Sequence, residues 1–295
     1  MRLIVTGKQG QVARALRECA GPDLEIVTLG RPELDLSDPT SVSNAFEGQR
    51  ADVVVSAAAY TAVDKADSEE ALATAINGRG AGEIAAAAAR MSAPVIHLST
   101  DYVFDGALAR PYREDDPTGP VSAYGRSKLA GERAVAEANS RCAILRTAWV
   151  YSPFGANFVK TMLRLGETRR QINVVADQRG CPTSALDIAA AVIAVARNLA
   201  TAPSPDRFGV FHMTGAGEAT WAEFAAAIFA EGKRHGRPPV EVLPIPTSQY
   251  PTPAKRPANS RLEGDKLASA HSVRLPEWRA SLRTVVERLL AAPAA

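Results

Sequence analysis

Short apolar runs recur through the first half of the chain, and most are continuous rather than alternating: RLIVT, LEIVTL, ADVVV, APVIHL and CAIL. A strand covered on both faces reads this way, whereas a strand with one wet face alternates. Between the runs lie segments of helical character, including QVARALREC, DPTSVSNAFEGQ, SEEALATAINGRGAGEIAAAAARM and SAYGRSKLAGERAVAEA. Strand and helix in regular succession predict an α/β fold, a doubly wound Rossmann-type parallel sheet. From about Tyr151 the rhythm changes. NFVKTMLRLGE reads as a helix and INVVADQRGCPTS as a strand followed by a turn. ALDIAAAVIAVARNLA is a helix with an apolar stripe that should return to pack on the first domain, and GVFHMTG is strand-like. In TWAEFAAAIFAEGKRHG, Thr220 and Glu223 have capping-box spacing. The proline-rich stretch LPIPTSQYPTPAKRPANSRLEGDKL predicts an extended segment ordered against the fold. Residues 1–150 with about 184–202 are therefore assigned to a Rossmann domain. Residues about 151–183 and 203–295 are assigned to a smaller α/β C-terminal substrate domain.

The bulk numbers add constraints. At 295 residues, with 46% hydrophobic and 22% charged residues, the chain can bury a substantial core. A formal charge of +2 with scattered basic residues gives no reason to expect a nucleic-acid partner. No apolar stretch is long enough for a bilayer span, and MRLIVTGKQG lacks the features of a secretory signal. Cys19, Cys142 and Cys181 are odd in number and far apart, which fits a reducing cytoplasm and argues against disulfides or structural zinc. Cys181 has no neighbouring base and reads as a buried cysteine rather than a nucleophile.

VTGKQGQVARAL follows the first strand and opens a helix. Gly7 permits a tight turn, and Gly10 lets the backbone approach a pyrophosphate. Gln11 and Val12 begin the helix, whose N-terminus favours negative charge. Ala13 stands where a third glycine is usual and is small enough for helix–sheet packing. After the second strand, Gly30 and Arg31 occupy the place of the acidic residue that would hold a ribose diol. Arg31 can pair with a 2′-phosphate, so NADPH is expected, with NADH use left open. Asp35 and Leu36 are placed for adenine, although LDLSDP also reads as a strand end running into a helix cap at Ser37. Tyr124 and Lys128, four apart in a helical segment, share one face. An ammonium group one turn away would draw the phenol's pKa down toward working pH and make Tyr124 a usable general acid. Thr100 ends the VIHLST run and offers a hydroxyl to the same carbonyl oxygen. His97 and His212 read as buried, hydrogen-bonded core residues.

GKQGQV, SAAAYTAVDKAD, STDYVFDG, AYGRSKLAGE, LRTAWVYSPFGANFV, VVADQRGCPTSALDIA and PTPAKRPANSRLEGDKL together resemble the extended short-chain dehydrogenase/reductase superfamily. Within it they resemble the dTDP-4-dehydrorhamnose reductase branch. The resemblance implies reduction of a nucleotide-sugar ketone, at C4 of dTDP-4-dehydro-L-rhamnose. Catalysis falls to Thr100, Tyr124 and Lys128, and Lys128 also reaches the nicotinamide ribose. It further implies Ala58, Ala59, Tyr60 and Thr61 along the cofactor, where a plain buried strand end is the alternative. Asp101, Tyr102, Phe104, Trp149, Asn157 and Arg256 fall on the substrate side. Core packing for the aromatics, a turn cap for Asp101, a helix cap for Asn157 and a solvated Arg256 stay open. Asp64 and Lys65 read as surface charges. Relatives are monomers or homodimers, some with Mg2+ held by interface glutamates, but Glu277 and Glu287 read as helix-surface charges. An epimerase or dehydratase of the superfamily, and a non-catalytic regulatory subunit resembling that of methionine adenosyltransferase, are the competing readings. Tyr102 stands where a dehydratase needs a second carboxylate, and the retention of Thr100, Tyr124 and Lys128 favours an enzyme.

Overall fold

In the computed structural model, which describes residues 1–291, five strands of the first half lie side by side: β1 (Arg2–Thr6), β2 (Glu25–Leu29), β3 (Val53–Ser56), β4 (Val95–Thr100) and β5 (Cys142–Thr147). With the later strand Gly209–His212 they form a six-stranded, wholly parallel sheet. Its order is Gly209–His212, β5, β4, β3, β1, β2. The edge strand β2 is only half-buried. The continuous apolar sequences of the inner strands follow from burial on both sides: Leu3, Ile4, Val5 and Val53 to Val55 are all fully buried. Each such side chain stabilises the fold by roughly 1.5–3 kcal/mol. One face is covered by the helices Gln11–Glu18 and Ala185–Thr201, with Leu16, Ile188, Val192 and Val195 in the shared core. The other is covered by Pro39–Phe46, Ala81–Arg90 and Ala123–Ala138, with Val42, Ile84 and Val135. The strand order reverses between β1 and β3, and ligands of such sheets bind outside the carboxyl ends at that point.

The smaller lobe pairs the strands Gln171–Val175 and Glu241–Ile245 in parallel. They pack with the helices Phe158–Thr168, Trp221–Arg234 and Trp278–Ala291 around Tyr151, Phe224, Ile228 and Trp278. The capping box forms as the spacing predicts: the Glu223 N–H donates to the Thr220 hydroxyl, and the Thr220 N–H donates to Glu223. The proline-rich stretch leaves the strand Glu241–Ile245 and makes a 3-10 turn at Thr247–Gln249. It is tied down where Asn259–Ser260 pairs with Arg179–Gly180, before the helix Asp265–His271.

Two boundaries differ from the sequence reading. Gly209–His212, placed with residues 203–295 in the smaller lobe, extends the main sheet beside β5. Phe211 and Met213, with Leu267 of the helix Asp265–His271, join that sheet's core, so the division between lobes is crossed more often than the sequence rhythm shows. The helix Pro39–Phe46 is capped by Asp38 rather than Ser37. Asp38 accepts from the Thr40 N–H, while Ser37 is bound back to Asp35. Among the described residues no helix is long and apolar enough to cross a membrane.

Candidate active site

The glycine turn lies at the carboxyl end of β1. Gly7 has φ +98°, a left-handed backbone that side-chain-bearing residues rarely adopt. Gly10 precedes the helix Gln11–Glu18, whose N-terminus has no side-chain cap, and among the described residues nothing beyond its own chain neighbours lies within 4 Å of where a Gly10 Cβ would sit. Open backbone N–H groups at a helix start form an anion site, so the residues present fit a dinucleotide pyrophosphate. Gln11 has a second task, because its side-chain oxygen accepts from Ser152 and Asn157 of the smaller lobe. Val12 packs against the sheet core, and Arg31 is exposed beyond β2. The Asp35 carboxylate holds its own turn through the Ser37 N–H and hydroxyl, and these hold its pKa below the usual range. Leu36 is buried in the core with Leu34 and Val42.

After β3, the N–H groups of Ala57 and Ala58 donate to the Thr6 hydroxyl, drawing this loop across the end of β1. Asn77 fixes the next residues. It accepts from the Tyr60 N–H at 2.8 Å, donates to the Tyr60 carbonyl, and donates to Ser127 on the helix Ala123–Ala138. Ala59 and Tyr60 are half-buried, Thr61 is exposed, and the Tyr60 hydroxyl donates to Glu69. Asn77, in a π-helical turn at Ala75–Gly80, therefore joins the cofactor-side loop to the Tyr124 helix. Sequence reasoning missed it, and the glycines around it were the available signal. A Cβ at Gly131 would fall 2.0 Å from the Asn77 carbonyl, and one at Gly80 would fall 2.5 Å from that of Leu36.

The helix Ala123–Ala138 starts at Ser122, which caps it by accepting from the Gly125 N–H. This start brings Tyr124 against the end of β4, with its ring edge-on to Tyr102 at 5.4 Å between centroids. Thr100 donates to Asp101 at 3.0 Å and accepts from the Tyr102 N–H. Burial pushes the Tyr124 phenol up to about 12, with Asp101 adding to the rise and a hydrogen bond with Thr100 opposing it. The sequence reading had Lys128 draw this phenol down. Here burial and the nearby carboxyl prevail, and the Lys128 ammonium is engaged one turn along. Its Nζ donates to the Leu98 carbonyl at 2.7 Å and lies 3.4 Å from His97 Nε2. Burial lowers Lys128 to about 8, against a smaller rise from Glu132. Asp101 is also buried, which pushes it up to about 6 against opposing hydrogen bonds with Ser260 and Thr100, and among the described residues its Oδ2 has no partner within strict hydrogen-bond geometry.

Behind the helix sits a buried ion pair. Glu132 accepts two hydrogen bonds from Arg146 of β5, at 2.9 and 2.7 Å, and a third from Ser99. Both charged side chains are 5% exposed, and the Arg146 guanidinium lies over the Phe104 ring. Phe104 is fully buried and stacked on Tyr112 at 4.1 Å, so core packing corrects its assignment to the substrate side. For Asn157 the helix-cap alternative forms. It caps the helix Phe158–Thr168 through the Lys160 N–H, and its amide group donates to Gln11, Ser152 and Phe154.

Next to Tyr102, Arg256 pairs with Asp64 at 2.9 Å and lines a cavity of about 390 Å³ in the smaller lobe. Asp64, a surface charge as read, thus also helps to hold the proline-rich stretch, its carboxylate accepting from the Ala254 N–H as well as from Arg256. Phe158, Met162, Val174, Gln178, Trp221 and Tyr250 also line the cavity. Trp149 takes a left-handed backbone, φ 48°, and stacks on Trp221 at 3.6 Å with its ring against Gly180. Trp221 was not foreseen as a site residue. Its helix-start position in TWAEF suggested only a cap, and the stack depends on the turn after β5. His97 and His212 are buried and hydrogen-bonded as read, and Cys181 is buried with its thiol pKa raised by burial. Among the described residues no three His, Cys, Asp or Glu side chains converge on a metal position, and Glu277 is bound to Arg279.

The family model described as RmlD substrate binding domain matches residues 1–291. A dTDP-4-dehydrorhamnose reductase of Sinorhizobium fredii is 54% identical over 290 residues, covering 98% of each chain. The protein of that name from Escherichia coli is 40% identical over 298 residues, again covering 98% of each. Among solved structures, a dTDP-4-dehydrorhamnose reductase of Clostridium acetobutylicum superposes with a TM-score of 0.91 at 38% identity, covering 98% of this chain and 99% of its own. One of Bacillus anthracis in complex with NADP superposes with a TM-score of 0.90 at 34% identity, covering 97% and 99%.

Proposed function

The chain belongs to the RmlD substrate binding domain family, and on that footing we propose that it reduces the C4 ketone of dTDP-4-dehydro-L-rhamnose with NADPH. The observation that supports this reading is the meeting of Thr100 and Tyr124 at the carboxyl end of β4, with Lys128 one turn along the same helix against Leu98. The fold also offers an uncapped glycine-turn helix start after β1 and, beside Arg256, a cavity of about 390 Å³. NADPH would supply the hydride for the carbonyl carbon; the turn at Gly7 and Gly10 would hold its pyrophosphate, and the exposed Arg31 would be available to pair with the 2′-phosphate. Thr100 and Tyr124 receive the carbonyl oxygen. A phenol held near 12 keeps its proton at neutral pH and releases it only as negative charge grows on that oxygen. Lys128 remains an ammonium below about pH 8 and supplies positive charge close by. Asp101 and Tyr102 meet the sugar, Trp149 closes its far side, and the cavity beside Arg256 takes the nucleotide.

NADPH absorbance followed with enzymatically generated dTDP-4-dehydrorhamnose tests the reading. Stoichiometric oxidation is expected, faster with NADPH than with NADH. No oxidation at any substrate concentration would overturn it and favour a binding role instead.

A further inference from the structure

His97 lies in the middle of β4, 1% exposed, on the same face of the sheet as Ser99 and toward the helix Ala123–Ala138. A histidine within an apolar parallel strand needs partners for both ring nitrogens. Nδ1 lies 3.0 Å from the Ser56 hydroxyl on β3, and Nε2 lies 3.4 Å from Lys128 Nζ. Lys128 Nζ has three N–H groups. One goes to the Leu98 carbonyl, and an ammonium can give a second only to an unprotonated Nε2. That requires the Nδ1–H tautomer, which donates to Ser56. Burial and the Lys128 charge both oppose a second proton on the ring. The charged and titratable groups around the pair are few. They are Glu132 and Tyr124 on the same helix as Lys128, Arg146 on β5 paired with Glu132, and Asp101 beyond β4. β3 contributes only the neutral Ser56.

We propose that His97 is a positioning residue for the reduction: Ser56 fixes its tautomer, and its Nε2 accepts from the Lys128 ammonium. Two of the three N–H groups are thereby directed into the sheet, and the third is left for the reacting side. The inference rests on the reductase reading. It adds a neutral acceptor, set behind the lysine, that keeps a buried ammonium charged.

The test compares His97→Leu and His97→Gln with the wild-type chain. His97→Leu removes the acceptor, so kcat should fall at least about tenfold. Because the ammonium is then less stable, the alkaline limb of kcat should move to lower pH by at least about half a unit. His97→Gln, which can offer an amide oxygen near the position of Nε2, should restore much of both. On the wild-type protein, nitrogen-15 NMR of labelled imidazoles should show His97 neutral and protonated at Nδ1 at about pH 7. Melting curves show whether each variant is folded. A folded His97→Leu with wild-type kcat and pH profile would overturn the proposal. If that variant does not fold, the wild-type spectrum and His97→Gln decide. A protonated Nε2 at neutral pH overturns it, and so does an unrescued limb in folded His97→Gln. A wild-type chain that oxidises no NADPH with the sugar substrate would instead sink the reductase reading and leave the NMR result standing by itself.

Discussion

Tyr124→Phe is expected to lower kcat by about 10²- to 10⁴-fold while leaving NADPH affinity essentially unchanged. The phenylalanine keeps the ring and its edge contact with Tyr102, and loses only the hydroxyl that faces Thr100. Steady-state kinetics with a separate NADPH titration measure the two effects, and a turnover near wild type would remove Tyr124 as the acid. The pH profile adds a check on sign. The phenol, held near 12, stays protonated through the ordinary range. Lys128, lowered to about 8, loses its charge as pH rises through that value. Turnover should therefore fall on the alkaline side near pH 8, well before the tyrosine ionises.

The largest effect on stability should come from Glu132→Ala. It leaves the Arg146 guanidinium buried without its carboxylate, with Nη1 already lacking a partner. Breaking a buried pair in this way costs about 3–5 kcal/mol, which at this chain length is of the order of a 10 °C fall in Tm. Removing both charges is different, because neither is then stranded. Glu132→Leu combined with Arg146→Met should recover most of the loss. Urea unfolding of the three proteins measures it, and a single variant within about 1 kcal/mol of wild type would show that the pair is not needed.

Local patterns in the sequence carried a large part of this architecture. Continuous apolar runs gave β1 to β5, and a glycine turn directly after β1 placed the helix start that faces the sheet's switch point. Tyr124 and Lys128 were readable because helix geometry alone puts them on one face. What escaped were contacts made by distant parts of the chain. Asp64 and Arg256 meet across 192 residues, and neither has a local pattern that announces the other. The Trp149–Trp221 stack needs a left-handed turn after β5 that no residue type there signals, tryptophan being ill suited to it. GVFHMTG was readable as a strand, but its place beside β5 is set by long-range packing of Phe211 and Met213. Phe104 shows the opposite pattern: a motif position suggested ligand contact, and its surroundings use it for packing. For Asn157 the helix cap that the sequence left open is the role seen.

The paired indoles have a practical consequence. Two of the chain's three tryptophans, Trp149 and Trp221, lie face to face, with Trp221 on the cavity wall, while the third, Trp278, is fully buried in the smaller lobe. Stacked indoles exchange excitation, and their emission responds to whatever replaces water beside them. The molecule thus carries an optical reporter of cavity occupancy, and if the proposed nucleotide position is correct, sugar-nucleotide binding should change the intrinsic emission without a label.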